Sequence, residues 1–138
     1  MTIILGYDES PGASRALQVA IEYAATFTEA LIIVYGAAVP GGTGEEYLVH
    51  DEAIRQNKQE ALDQAVQTAE AAGVPATVEI LAAKPDQALI AAAERHQARL
   101  IIVGSWGDGP IRGALLGSTP HKLLHLSSIP ILCVPHGR

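Results

Sequence analysis

The sequence predicts an α/β fold: a three-layer, doubly wound, Rossmann-like domain whose five parallel strands run in the order 3-2-1-4-5. The apolar runs Ile3-Ile4-Leu5, Leu31-Ile32-Ile33-Val34 and Leu100-Ile101-Ile102-Val103 lack alternation, as strands covered on both faces do. Segments with apolar residues at helical spacing separate them. Strands alternating with helices require right-handed crossovers, and hence a parallel sheet with helices on both faces.

Each element has its own local reason. Ile3 to Tyr7 forms the first strand, and Ser10 and Pro11 suit the cap and first position of a helix over about residues 11 to 27. Ala13, Leu17, Ala20, Ile21 and Ala24 give that helix one apolar stripe. Ala30 to Tyr35 is the second strand. Pro40 to Glu46, rich in glycine and ending in two acids, is expected to be a mobile, solvated loop. From about His50 to Ala72 the residues Ile54, Ala61, Leu62, Ala65, Val66 and Ala69 mark an amphipathic helix, closed by Gly73 with Pro75 beyond. In Ala76 to Leu81, Val78 and Ile80 alternate with Thr77 and Glu79, the pattern of an edge strand. Pro85 opens a third helix with Leu89, Ile90 and Ala93 inward, ending near Ala98, and Leu100 to Val103 is the fourth strand. After Ser118 a fourth helix carries Leu123, Leu124 and Leu126. The last strand, Ile129 to Pro135, is confined to an edge by its prolines.

A chain of 138 residues is one domain's worth, residues 1–138. Its core must come from Ala, Leu, Ile and Val, because apolar residues make up 49% and aromatic ones 4%. A net charge of −6 disfavours a broad electrostatic grip on nucleic acid or an anionic membrane, so neither is expected as a partner. Cys133 stands alone, excluding an internal disulfide, and reads as a small buried hydrophobe. With no signal peptide or membrane-length apolar run, a cytoplasmic location is expected.

The chemistry concentrates between Gly104 and Thr119, where glycines 104, 107, 109, 113 and 117 lie between an apolar strand and a helix. Glycine lets backbone N–H groups approach a ligand, and a helix N-terminus adds roughly half a positive charge, so an anion suits the loop. The order 3-2-1-4-5 reverses between strands one and four, and ligands of open α/β sheets settle at the carboxyl ends there, beside Asp8. No Gly-Lys pair exists, which excludes a Walker loop. After Gly107 and Gly109 the third glycine position holds Arg112, which excludes the dinucleotide fingerprint. The spacing present is Gly104-x2-Gly107-x9-Gly117-Ser118.

This spacing, between the fourth strand and fourth helix, resembles that of the ATP-binding subgroup of the universal stress proteins. The resemblance extends over the chain, from the opening strand ending at Asp8 to the closing Ser-Ile-Pro-Ile-Leu-Cys-Val-Pro. It implies that Tyr7 and Asp8 sit by the nucleoside and that Gly36 and Ala37 border the adenine. It further implies Val103 and Gly104 beneath the nucleotide, and Gly107, Gly117, Ser118 and Thr119 at ribose and phosphates. Trp106 stands where the family often has a basic residue, and could cover the loop or stack near the ligand. Gly36 stands where a branched apolar residue is common, implying a roomier adenine pocket. Arg112 and Lys122 are nearby cations, with Arg112 read as loosely closing the loop. A triphosphate in an acidic protein calls for Mg²⁺ shared by the phosphates, with Asp8 the nearest carboxylate.

The reading is an adenine-nucleotide-binding regulatory module with at most slow ATP hydrolysis and no assigned catalytic residue. The alternatives are an enzyme cleaving or transferring adenylate on the same fold, or a nucleotide-free dimeric scaffold. The exposed fifth strand, through Ile131, Leu132 and Val134, invites a two-fold homodimer, which the resemblance also implies. His121 and His125, spaced i, i+4, share a helix face that could hold a metal; without a third ligand, solvent-facing histidines are the simpler reading.

Overall fold

The computed structural model describes residues 1–8, 11–37, 45–105 and 117–135. Its elements are β1 (Thr2–Gly6), α1 (Pro11–Phe27), β2 (Ala30–Gly36), α2 (Glu45–Ala71) and β3 (Ala76–Leu81), followed by α3 (Pro85–Arg95), β4 (Ala98–Gly104), α4 (Ser118–Leu126) and β5 (Ile131–Val134). The strands form one five-stranded parallel sheet in the order β3-β2-β1-β4-β5. Both expected edge strands lie at the edges.

The period-2 alternation of each strand sorts side chains between two cores. Ile3, Leu5, Leu31, Ile33 and Ile102 meet α1 and α2 through Ala16, Ala20, Leu62 and Ala65. Ile4, Ile32, Val34, Ile101 and Val103 meet α3 and α4 through Ala88, Leu89, Ala92 and Leu123. Small alanines on the helices let them approach the bulky sheet closely, which suits a chain so poor in aromatic residues.

Helix ends depart from the sequence reading in ways with local causes. Helix α2 begins at Glu45, so Glu45 and Glu46 belong to its first turn and not to a loop. Helix α3 stops at Arg95, earlier than expected, because Gln97 takes φ 50 and turns the chain at once into β4. Helix α1 ends at Phe27 through Thr28 at φ 56, with Glu29 N–H bonded to Ala24 O at 2.9 Å. Gly73, at φ 81, closes α2 as expected; its N–H bonds Glu70 O at 2.9 Å while Val74 N–H bonds Ala69 O at 3.0 Å. In α4 only Pro120 and Leu123 are buried, whereas Leu124 and Leu126 are 54% and 63% exposed, so the expected apolar row reduces to one anchor turn. Cys133 is half-buried against the α3/α4 core, and burial pushes its thiol up from the ordinary range. Among the described residues no helix is long and apolar enough to cross a membrane. The expected Ser10 cap and the glycine loop at 41–44 lie outside the described residues.

Ion pairs brace the amino-terminal end of the sheet. Arg99 donates to Glu29 Oε1 from Nε at 2.9 Å and from a terminal nitrogen at 2.8 Å, with its guanidinium 4.8 Å from the Phe27 ring centre. Those bonds hold the Glu29 carboxyl below its usual range. Glu79 of β3 is not a solvated edge acid. It accepts from Arg95 at 2.6 Å and from His96 Nε2, which must carry the proton toward a carboxylate, at 2.7 Å. Partial burial pushes the Glu79 carboxyl upward, but the bonds from His96 and Arg95 together outweigh it and leave it below the usual range.

A carboxyl lowered by folding contributes stability above its unfolded value and loses it as pH falls through the folded one. Glu79→Gln is therefore expected to lower the unfolding free energy by about 1 kcal/mol at neutral pH. Urea unfolding should show that deficit shrinking as the pH is taken below 4.5, the unperturbed value.

Candidate functional site

The carboxyl ends of β1 and β4 lie side by side, and the end of β4 is tied to the start of α4. Beyond β1, Tyr7 N–H extends the ladder to Val34 O at 3.1 Å, its ring packed on the α1/α2 core, and Asp8 follows, exposed. Beyond β2, Ala37 N–H bonds Leu81 O at 3.1 Å, and Gly36 and Ala37 are half-buried. In β4, Val103 is buried and Gly104 pairs with Val134, after which Ser105 N–H bonds Val134 O at 2.9 Å. Gly117 N–H then donates to Ser105 O at 2.7 Å, tying together the two ends of the glycine-rich connection.

That hydrogen bond sets where α4 begins. Gly117 is the N-cap residue, at φ −60 and ψ 162, and the first helical bond runs from His121 N–H to Gly117 O at 3.1 Å. Among the described residues no side chain caps this end, so the hydroxyls of Ser118 and Thr119 do not serve as caps. Ser118 is exposed and Thr119 half-buried, and their backbone N–H groups have no acceptor within the helix, while Pro120 has no N–H at all. The arrangement presents two N–H groups and two hydroxyls at the positive end of a helix dipole. Buried Pro120 and Leu123 hold that end against the sheet.

Two glycines here carry a second constraint. A Cβ on Gly104 would lie 3.2 Å from the carbonyl carbon of Gly12, in the first turn of α1. At Gly36 a Cβ would meet Ala88 Cβ at 2.7 Å and the Pro85 Cα at 3.1 Å. The absent side chain of Gly36 therefore admits α3 and does not enlarge an adenine pocket, contrary to the expectation above. Of the nearby cations, Lys122 is exposed on α4, and the sequence reading passed over Lys58, which lies 5.7 Å from the Tyr35 ring centre near the end of β2. Among the described residues Asp86, in the first turn of α3, is the buried charged side chain, 5% exposed beside that same close approach, and no local pattern marks it in the sequence.

Tyr7, Asp8, Gly36, Ala37, Val103, Gly104, Gly117, Ser118 and Thr119 all fall at this edge of the sheet. Trp106, Gly107 and Arg112 lie outside the described residues.

Comparisons with known proteins agree with this architecture. A model of the universal stress protein family matches residues 1–135. A Thermus aquaticus protein described as the universal stress protein in QAH/OAS sulfhydrylase 3'region is 31% identical over 135 residues, covering 96% of this chain and 97% of its own. A universal stress protein solved in complex with cAMP is 26% identical, with TM-score 0.76, over 99% of this chain and 98% of that one. The universal stress protein from Archaeoglobus fulgidus in complex with dAMP is 21% identical, with TM-score 0.70, over 97% of each chain.

The close approach at Gly36 has a direct test. Gly36→Val must push α3 off the sheet and is expected to lower the unfolding free energy by about 1–3 kcal/mol. A valine variant whose urea midpoint matches the parent's would contradict this geometry.

Proposed function

The chain belongs to the universal stress protein family, and from that premise we propose that it binds an adenine nucleotide, ATP foremost, between the ends of β1 and β4 and the start of α4. The observation carrying this reading is the Gly117 to Ser105 hydrogen bond of 2.7 Å, which seats the start of α4 beside the end of β4, the strand paired with β1, which leads to Asp8. Support comes from the relatives solved with cAMP and dAMP, both adenine nucleotides with a phosphate.

In this reading Asp8 and Tyr7 meet the nucleoside, Gly36 and Ala37 border the adenine, and Val103 and Gly104 floor the site. The N–H groups and hydroxyls of Ser118 and Thr119, with Gly117, take the phosphates, joined by Gly107, Arg112 and Trp106 from the connecting loop. Among the described residues no group of three His, Cys, Asp or Glu side chains could hold a metal ion. Mg²⁺ would thus be held chiefly by phosphate oxygens and water, with the exposed Asp8 carboxylate as the protein's contribution, which fits the preference of this ion for oxygen donors and retained waters. When bound, the ion supplies charge neutralisation in an acidic protein.

Function then lies in regulation in a cytoplasmic stress response, with hydrolysis slow at most. Asp8 is the carboxylate assigned to the site, and no nucleophile paired with a base is assigned among its described residues. The reading pairs two copies of the chain through the outer edge of β5. Val134 is spent on the core at 4% exposure, so the contact falls to half-buried Ile131 and Leu132 and to the strand's backbone.

Thermal unfolding with and without Mg-ATP, Mg-ADP and AMP tests the proposal. A nucleotide at 100 times its Kd adds about 2.7 kcal/mol to the stability of the folded chain. The wild type is expected to show that gain and Asp8→Ala to lose most of it. A wild type indifferent to all of these nucleotides would defeat the reading.

A further inference from the structure

Helix α4 carries two groups that the nucleotide reading does not use. His121 and His125 are both exposed one turn apart, with ring centroids 4.9 Å apart and planes inclined at 70°. Among the described residues neither ring is engaged by a hydrogen bond or ion pair, in contrast to His96, which is committed to Glu79. Their lone pairs are therefore available. Lys122 follows His121 directly and so projects from a different side of the helix. Leu123, fully buried between the two, stops the helix from rolling and fixes both Cβ positions.

The ring separation is informative. A bond from a transition metal to an imidazole nitrogen is about 2.0–2.1 Å, and the ring centre lies roughly 1.1–1.2 Å further on. Two imidazoles sharing one ion at angles of about 90–109° thus have centroids roughly 4.5–5.2 Å apart. The observed 4.9 Å falls inside that interval before any metal is considered.

We propose that His121 and His125 form a bidentate surface site for a divalent transition-metal ion that prefers imidazole: Cu²⁺, Ni²⁺ or Zn²⁺. Among the described residues no third His, Cys, Asp or Glu joins them, so water completes the coordination. The site is distinct from the Mg²⁺ carried by phosphates, because imidazole nitrogen suits these later metals and not magnesium. A metal bridging i and i+4 clamps a helix of only 9 residues, a length at which isolated helices are unstable. It would thereby steady the helix whose first turn the nucleotide reading assigns to phosphate, although the metal site stands on the two histidines alone.

The experiment titrates the full, chelator-treated chain with Cu²⁺ and with Ni²⁺ by calorimetry, alongside His121→Gln and His125→Gln. Both positions are exposed, and metal-free melting curves matching the wild type check that the variants fold. The wild type is expected to bind one ion per chain and to melt higher with metal, and its Cu²⁺ spectrum should carry hyperfine coupling from two nitrogens. Loss of a supporting partner alone typically costs about 10–100-fold in metal affinity, so loss of either direct ligand should weaken binding at least about tenfold and abolish the melting shift. Binding that persists unchanged in both variants, or a wild type that binds neither ion, would overturn the proposal.

Discussion

The layout of this molecule depends on the missing side chains where three neighbouring strands end. β1, β2 and β4 each finish on a glycine, and at each the space for a Cβ is already taken. Gly6 faces Leu89 at 2.9 Å and Val103 at 3.0 Å, Gly36 faces Ala88, and Gly104 faces the backbone of Gly12. Helices α1 and α3 thus close in from opposite faces at the carboxyl edge, where the chain order of the sheet reverses. A side chain at Gly36 must displace α3, one at Gly104 would press on the first turn of α1, and one at Gly6 would crowd the methyl groups of Leu89 and Val103.

The opposite edge is built on other principles. There Arg99 and Glu29 pair against Phe27, Arg95 and His96 close on Glu79, and Thr2 Oγ1 donates to His96 O at 3.2 Å. These contacts commit several charged side chains to structure at the amino-terminal end. The carboxyl end depends instead on backbone groups, with the Gly117 to Ser105 hydrogen bond positioning uncapped N–H donors. Backbone donors bind an anion without requiring a basic surface, so a net charge of −6 does not conflict with the proposed phosphate contact.

Much of this was legible in the residues. Unalternating runs such as Leu31 to Val34 identified buried parallel strands, the alternation around Val78 and Ile80 marked an edge, and the proline-flanked last strand marked the other. What escaped was information carried by tertiary contact. Nothing local distinguishes a glycine that admits a ligand from one that admits a helix, so Gly36 read as pocket space until Ala88 was seen against it. The partners of Glu79 lie sixteen and seventeen positions away, so its alternation in an edge strand does not announce them. The sequence places Leu123, Leu124 and Leu126 on one helix, but α4 touches the sheet through one turn and leaves Leu124 and Leu126 exposed. The turns at Thr28 and Gln97 use left-handed backbone without glycine, which composition does not announce.

The central claim is spatial: an adenine nucleotide occupies the carboxyl edge of the sheet at β1 and β4. Backbone amide shifts measured by NMR during titration with Mg-ATP test it most directly. Movements are expected to concentrate at Asp8, Ala37, Ser105, Gly117, Ser118 and Thr119, with Glu29 and Arg99 at the far edge unmoved. Shifts centred on the far edge, or none at saturating nucleotide, would contradict it.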